Sequence, residues 1–300
     1  MITYIKLVLT AIFWGGTFVA GRILSPVVGP FSAAFIRFAI ASFCLLMIIR
    51  SLEGKLPLPA KKHVFPLILL GLSGVFAYNA FFFSGLKSIT AGRASVIIAN
   101  NPIVITLFAA IFFHERLTLI KVAGILISVS GALIAISRGD VAALFSGSLG
   151  MGEFYIFCCV LSWATFSLIG KVVLSDLTPM LSVGYSAFIG TIALLPPALW
   201  EGVVTGCFDY TVTDWLSLGY LGIFGTVLGF VWYYDGIQAI GPSKASLFIN
   251  LVPISAILSA YIILDEPISS SLLVGVVFVV TGIYMTTTVS DYFRLRKINA

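Results

Sequence analysis

Charge is what this sequence has least of. Of its 300 residues only 10% are Asp, Glu, Lys or Arg, against about 25% in ordinary soluble domains. With 60% of the chain hydrophobic, too little polar surface remains to cover a water-soluble globule. That excludes a soluble enzyme, a nucleic-acid-binding protein and a disordered chain. The net charge of +5 does not point to nucleic acid either, because the bases sit in short stretches between apolar runs. In a membrane protein such charges set orientation. Histidine is almost missing: His63 and His114 stand at the ends of apolar runs, with no Cys, His or Asp at ligand spacing. The four cysteines make no CxxC pair; Cys44, Cys158 and Cys159 lie inside apolar runs and Cys207 in a loop. Neither zinc nor redox chemistry has a foothold, and no cofactor is expected. A Gly-rich phosphate loop, a GxSxG elbow and a mid-span carboxylate pair are lacking too, so catalysis is not expected.

What the chain has in abundance is long apolar segments. A helix needs roughly 20 apolar residues to cross the ~30 Å hydrocarbon core. Ten segments meet that length: 4–24, 31–49, 65–86, 92–113, 118–136, 152–173, 179–200, 215–237, 243–264 and 271–289. Turn residues and charges separate them, as in Ser25 to Pro30, Arg50 to Lys62 and Arg138 to Gly150. The first segment, where Lys6 precedes an apolar stretch, also has the outline of a signal peptide. It exceeds a signal core in length and no clear small-residue cleavage site follows, so a retained helix is expected. The fold class read here is an all-α membrane protein of ten transmembrane helices.

The chain also repeats itself. A shift of 149 residues puts Trp14 on Trp163, Gly21 on Gly170, Arg22 on Lys171 and Pro30 on Pro179. After a two-residue insertion the shift is 151: Gly71 meets Gly222, Gly74 meets Gly225, Gly85 meets Gly236, and Ala94-Ser95 meet Ala245-Ser246. Pro102 then meets Pro253, Glu115 meets Glu266, Gly124 meets Gly275 and Gly131 meets Gly282. Single glycine matches are weak, but a register that also keeps Trp, Pro and Glu across several spans indicates duplication. The expected units are 1–140 and 150–291, each of five helices, followed by a basic tail at 292–300.

Five helices is an odd number, so the second unit enters the bilayer from the opposite side as an inverted repeat around a central cavity. The bases fit this. With both termini in the cytoplasm, the inner side holds Lys6, Arg50, Lys55, Lys61, Lys62, Arg116, Lys121, Lys171, Lys244, Arg294, Arg296 and Lys297. The outer side holds Arg22, Lys87, Arg93 and Arg138. This is the bias of the positive-inside rule. Equivalent loops even differ in sign, since 50–63 is basic and 201–214 carries acids alone.

A few residues stand out as a substrate lining. Arg37 is the one charge well inside a span, about 9 Å past Phe31 at 1.5 Å per residue. An Arg near a helix centre costs roughly 2.5–3.5 kcal/mol, so it faces protein or a wet cavity. It reads either as a counter-charge for an anionic group or as an anchor snorkelling to headgroups or a partner for backbone carbonyls. The fourth and ninth spans carry Asn100-Asn101-Pro102 and Asn250-Leu251-Val252-Pro253. Each proline frees the carbonyl four residues back, on Ile98 and Ile249, and marks a helix break or gate. Such backbone is tolerated at depth where it lines a cavity or is satisfied by neighbours. Trp14 and Trp163 share a repeat position near mid-span, away from the interfacial belts that Trp prefers. Tyr78, Asn79 and Phe82, with Tyr185, Tyr233 and Tyr234, add polar-tipped rings and an amide that suit an amphipathic solute. The seven-residue spacing of Gly124/Gly131 and Gly275/Gly282 marks close-packing faces. These would seat the fifth helix on the tenth, or on a second copy in a homodimer.

Several stretches carry a family resemblance. Phe13-Trp14-Gly15-Gly16-Thr17-Phe18 with Arg22, Phe35-Ile36-Arg37-Phe38, and Gly92-Arg93-Ala94-Ser95 through Asn101-Pro102 resemble the EamA-type drug/metabolite transporters. So do His114-Glu115-Arg116-Leu117 and Asp265-Glu266-Pro267-Ile268. The resemblance runs through both halves. It implies a ten-helix inverted repeat, in a bacterial plasma (inner) membrane, exporting metabolites such as amino acids. It transfers no binding residue, so the lining above rests on the residues alone.

The expected function is secondary export of a small-molecule substrate, an amino acid or close derivative, by alternating access. Multidrug or cation efflux, lipid-linked head-group flipping, and a non-transporting receptor or assembly subunit are the alternatives. Arg37 is the only deep base for a lipid phosphate, and no output domain for a receptor is visible. Asp235 and Glu153, both near span ends, are the only plausible proton sites, so uncoupled transport is open.

Overall fold

The computed structural model describes residues 2–112, 118–136, 150–240, 245 and 247–285. His114-Glu115-Arg116-Leu117, Arg138, Lys244, Ser246 and the tail at 292–300 lie outside these. The described residues are helical, with no strand among them.

The helix ends follow local chemistry. Helix α1 runs Ile2–Leu24 and α2 runs Pro30–Glu53. Pro30 suits the first helical position, where its missing N–H is no loss. The Ser32 backbone N–H and hydroxyl both donate to Glu201 Oε2, at 2.7 and 2.9 Å, so a second-half carboxylate caps α2. Gly54, at φ 68°, ends the helix in the left-handed conformation. The third span, Lys61–Leu86, is α3 (Lys61–Leu70), a π segment (Gly71–Ala77) and α4 (Tyr78–Leu86). Then come α5 (Ala91–Ile98), α6 (Asn101–Phe112) and α7 (Leu119–Ile136).

The second half opens with α8 (Met151–Val173), α9 (Pro179–Trp200) and the short α10 (Val203–Gly206). Its own third span is α11 (Val212–Gly222), a π segment (Ile223–Leu228) and α12 (Gly229–Ile240). Adding 151 to 71–77 gives 222–228, so the two π segments occupy equivalent positions. A 3₁₀ turn (Leu247–Asn250) leads into α13 (Leu251–Leu264), and α14 covers Ser270–Tyr284.

Among the described residues 6 helices are long and apolar enough to cross a membrane, and Leu119–Ala135, Phe248–Leu264 and Ser270–Gly282 are shorter apolar helices. The fourth and ninth apolar segments are interrupted, as their prolines led us to expect. The fourth is two pieces broken at Ala99-Asn100, and the ninth changes from 3₁₀ turn to α-helix at Asn250. Both breaks fall just before the prolines that cannot continue the hydrogen-bond ladder. Asn100 occupies the first break: its Nδ2 donates to the carbonyls of Val96 at 3.1 Å and Ile97 at 3.3 Å. Its Oδ1 accepts from Ser128 Oγ at 2.8 Å.

Residues related by the repeat shift meet each other. The rings of Trp14 and Trp163 lie 5.4 Å apart, edge to face, and Ser42 Oγ stands 3.0 Å from Thr191 Oγ1. Gly74 leaves room for the Phe166 ring, and Gly225 for Thr17, where a Cβ would come within 2.6 Å of Thr17 Cγ2. These two contacts also correspond, since 17 plus 149 is 166 and 74 plus 151 is 225. Helices α7 and α14 pack through the expected glycine faces, and a Cβ on Gly131 would reach the Gly275 carbonyl oxygen at 2.7 Å. That small-residue face is used within the chain. One main core of buried side chains runs through both halves.

Candidate functional site

One face of α1 passes through three spaces. Towards its N-terminus Leu7, Thr10 and Ala11 close against Tyr233, Ala245 and Phe248 with no room for a water. At mid-helix Trp14, Thr17 and Phe18 border a cavity of about 30 Å³, enough for a water or two. Towards its C-terminus Arg22 and Ser25 border a vestibule of about 480 Å³ with Pro26, Lys87, Leu264 and Glu266. Along α1 the packing is therefore closed towards one end, tight in the middle and open towards the other.

Both halves build the central cavity. Besides Trp14, the expected residues Arg37, Tyr78, Phe82, Asn101 and Trp163 line it. Its rings pack mostly against one another: Tyr78 stacks on Phe82 at 5.9 Å and meets Trp163 at 5.4 Å. Trp14 lies 5.1 Å from Tyr233 and 6.0 Å from Phe230. Each ring pair contributes ~0.5–1.5 kcal/mol beyond its buried area. A substrate must displace some of these contacts to enter.

Arg37 gives the cavity its only charge among the described lining residues. It is 3% exposed, which removes the snorkelling reading: Arg37 points inward, held by neighbours. Its Nε donates to Thr226 Oγ1 and its Nη1 to Asn79 Oδ1, both at 2.9 Å. Asn79 passes the restraint on, its Nδ2 donating to Val75 O at 2.9 Å and Gly74 O at 3.4 Å. Thr226 does the same in the other half, donating to Leu221 O at 3.0 Å. All these carbonyls belong to a π segment or lie two residues before one, where the altered ladder frees backbone acceptors. One guanidinium thus ties both π segments together. Its partners are neutral, and no described carboxylate lies within ion-pair distance of it.

Two cavity atoms are left unmatched. Trp163 Nε1 and Asn101 Oδ1 are buried and find no partner, although an unmet buried polar group costs ~1–3 kcal/mol. Trp14 differs, donating its Nε1 to Gly225 O at 3.0 Å.

Other expected residues sit elsewhere. Asn79 touches the cavity only through Arg37. Tyr233 contributes to the closed end beneath Trp14. Asn250 is the residue before α13, with its Oδ1 unpartnered and only Ile249 beside it reaching the cavity. Tyr185 is not at the cavity: its hydroxyl donates to the Pro57 carbonyl in the loop after α2. Pro102 and Pro253 stand in the first turns of α6 and α13, at the breaks. Sequence reading missed Thr17, Phe18, Phe230, Val252 and Thr226. Phe230 was discoverable, since it is the repeat partner of Asn79 (79 plus 151). Ile98 and Ile249 were noticed for their carbonyls alone, yet their side chains line the cavity.

The remaining charges gather at the two ends of the bundle. Arg22 faces Glu266 at 3.8 Å and Arg93 holds Glu153 at 3.0 Å at one end. At the other, Lys6 pairs with Asp235 at 2.8 Å, and Asp176 accepts from Lys62 at 2.6 Å and lies 3.0 Å from His63 Nε2. The hydrogen bonds from His63 and Lys62 pull the Asp176 carboxyl down to about 2. Asp235 and Glu153, the expected proton sites, are in these pairs and away from the cavity lining.

A multi-pass helical bundle with a polar-tipped cavity between its halves is the architecture of a membrane transporter. The model of the EamA-like transporter family matches residues 1–137 and again 150–288, and the chain belongs to that family. It is 30% identical over 296 residues to the uncharacterized transporter YyaM of Bacillus subtilis (strain 168), covering 99% of this chain and 96% of the relative. A probable terminal-alkyne amino-acid exporter of Streptantibioticus cattleyicolor is 29% identical over 284 residues, 93% of this chain and 91% of its own. A crystal structure at 20% identity shares the fold, with a TM-score of 0.64 over 96% of this chain and 97% of that one. The family and these relatives are transporters, not enzymes.

Proposed function

We propose that this transporter exports amino acids or close derivatives with apolar side chains. It works by alternating access between two inverted five-helix repeats, in a bacterial inner membrane with both termini cytoplasmic. The observation that carries the cargo is the cavity itself: aromatic walls from both halves around one arginine, with no acid among the described lining residues. Apolar side chains suit the rings, sugars call for more amides and carboxylates, and organic cations call for a buried acid. The amino-acid exporter among the relatives points the same way.

The inverted arrangement draws support from the twofold family match, the equivalent π segments and the contacts between repeat-related residues. Ten crossings follow if the broken and shorter helices complete their spans. The closed end beneath Trp14 is the cytoplasmic gate, and the vestibule at Arg22 opens outside.

Purified protein in liposomes should exchange labelled phenylalanine or leucine with no pH difference, because no carboxylate among the described residues lines the cavity to carry a proton. Exchange only under an imposed proton gradient would overturn the uncoupled mechanism. Movement of a cationic dye, with no amino acid exchanged, would replace this reading with multidrug efflux.

A further inference from the structure

The cavity holds three polar groups whose bonding is incomplete, and together they describe a ligand. Arg37 uses Nε and one Nη1 hydrogen on neutral oxygens, and its Nη2 has no hydrogen bond among the described residues. A buried cation with only neutral partners favours an anion, and the planar guanidinium matches the geometry of a carboxylate. Trp163 contributes an unpartnered indole N–H, which can only donate. Asn101 contributes an unpartnered carboxamide oxygen, an acceptor. Of the buried polar atoms left without a partner, those of Asn101 and Trp163 are the two that border this cavity.

We propose that Arg37 and Trp163 form a carboxylate clamp and that Asn101 Oδ1 receives an ammonium group, making the cavity a site for α-amino-acid zwitterions. This rests on the transporter reading of the same cavity and adds which atom holds which end of the cargo. The carboxylate dominates, because it meets a charge and a donor while the ammonium meets one neutral acceptor. The second half has Val252 where the first has Asn101, so the ammonium end lies on the first-half side only.

Binding to purified protein, read by Trp fluorescence and thermal shift, tests the clamp without requiring transport. The probes are phenylalanine, 3-phenylpropionate, which lacks the ammonium, and phenethylamine, which lacks the carboxylate. A charge-assisted hydrogen bond corresponds to about 10-fold or more in affinity, so phenethylamine should bind at least ~10-fold more weakly than either carboxylate. Trp163→Phe keeps the ring and removes the N–H. It should weaken both carboxylates and leave phenethylamine unchanged, and Arg37→Lys should do the same more severely. Asn101→Val should weaken phenylalanine but not 3-phenylpropionate. Should Arg37→Lys fail to fold, Trp163→Phe alone decides the clamp. Phenethylamine binding as well as phenylalanine, indifference of all probes to Trp163→Phe, or binding of none of them would overturn it. If 3-phenylpropionate binds through the clamp while phenylalanine is not exchanged in liposomes, the clamp stands and amino-acid export falls.

Discussion

Arg37 shows how a single residue can be legible as a charge and illegible as a contact. Its depth followed from counting along the second span, and the cost of a buried base said that it must be satisfied. Nothing in the spacing named Thr226, 189 residues away, because the bond depends on the π segment bringing that hydroxyl to α2. Asn79 was visible as an amide beside aromatics, but its task is to hold Arg37 and two backbone carbonyls at once. Asn79→Ala should therefore cost stability, by ~1–3 kcal/mol for each buried group left unmet. Thr226→Val should cost less, leaving one guanidinium N–H and the Leu221 carbonyl unmet where Asn79→Ala leaves one N–H and two carbonyls. Because both act on one guanidinium, the double variant should depart from additivity. Denaturation midpoints of the purified variants measure this, and strict additivity would mean that the two bonds are independent.

Among the elements, helix breaks were readable and π segments were not. Proline declares a break by lacking an N–H, so Pro102 and Pro253 marked theirs. A π segment spends ordinary residues on a widened turn, and Gly71, Gly74, Gly222 and Gly225 gave only the hint of close approach. Gly225 is where that approach bears on Arg37, since a Cβ there would come within 2.6 Å of Thr17 Cγ2 and 3.5 Å of Arg37 Nη2. Gly225→Leu should abolish exchange even where the protein still inserts, a result read by comparing transport with membrane abundance. The loop between α8 and α9 offers a pH test. Asp176 is depressed to about 2 by His63 and Lys62. A lowered carboxylate contributes stability that is fully present above its unfolded value of about 3.9 and is lost as pH falls through the folded one. The difference in melting temperature between wild type and Asp176→Asn should hold steady from neutral pH to about 4 and shrink towards 2. A difference that already vanishes at pH 5 would show that the lysine and histidine bonds do not hold this carboxylate in solution.

At the scale of the whole molecule the sequence was most informative, because duplication leaves a register that side-chain contacts do not. The shift of 149 pairs Trp14 with Trp163, and their rings do meet in the fold. The cavity volume was not legible, since aromatic residues that bind a solute and aromatic residues that fill its place look the same in one dimension. Orientation is the remaining global property, and the charge distribution argues it. Basic residues concentrate at the end that holds Lys6, Lys61 and Lys62, which the positive-inside rule places in the cytoplasm. Cys207 lies at the opposite end, in the turn after α10, partly exposed, with its thiol donating to the Val204 carbonyl at 3.1 Å. The other cysteines are poor competitors for a water-borne reagent: Cys159 is buried, and Cys44 and Cys158 sit within spans. An impermeant thiol reagent added outside intact cells should therefore label Cys207. In a Cys207→Ser background, a cysteine replacing exposed Lys61 should stay unlabelled until the cells are opened. The reverse pattern would turn the molecule over, putting the wide vestibule at Arg22 in the cytoplasm and making the closed end beneath Trp14 the outer gate.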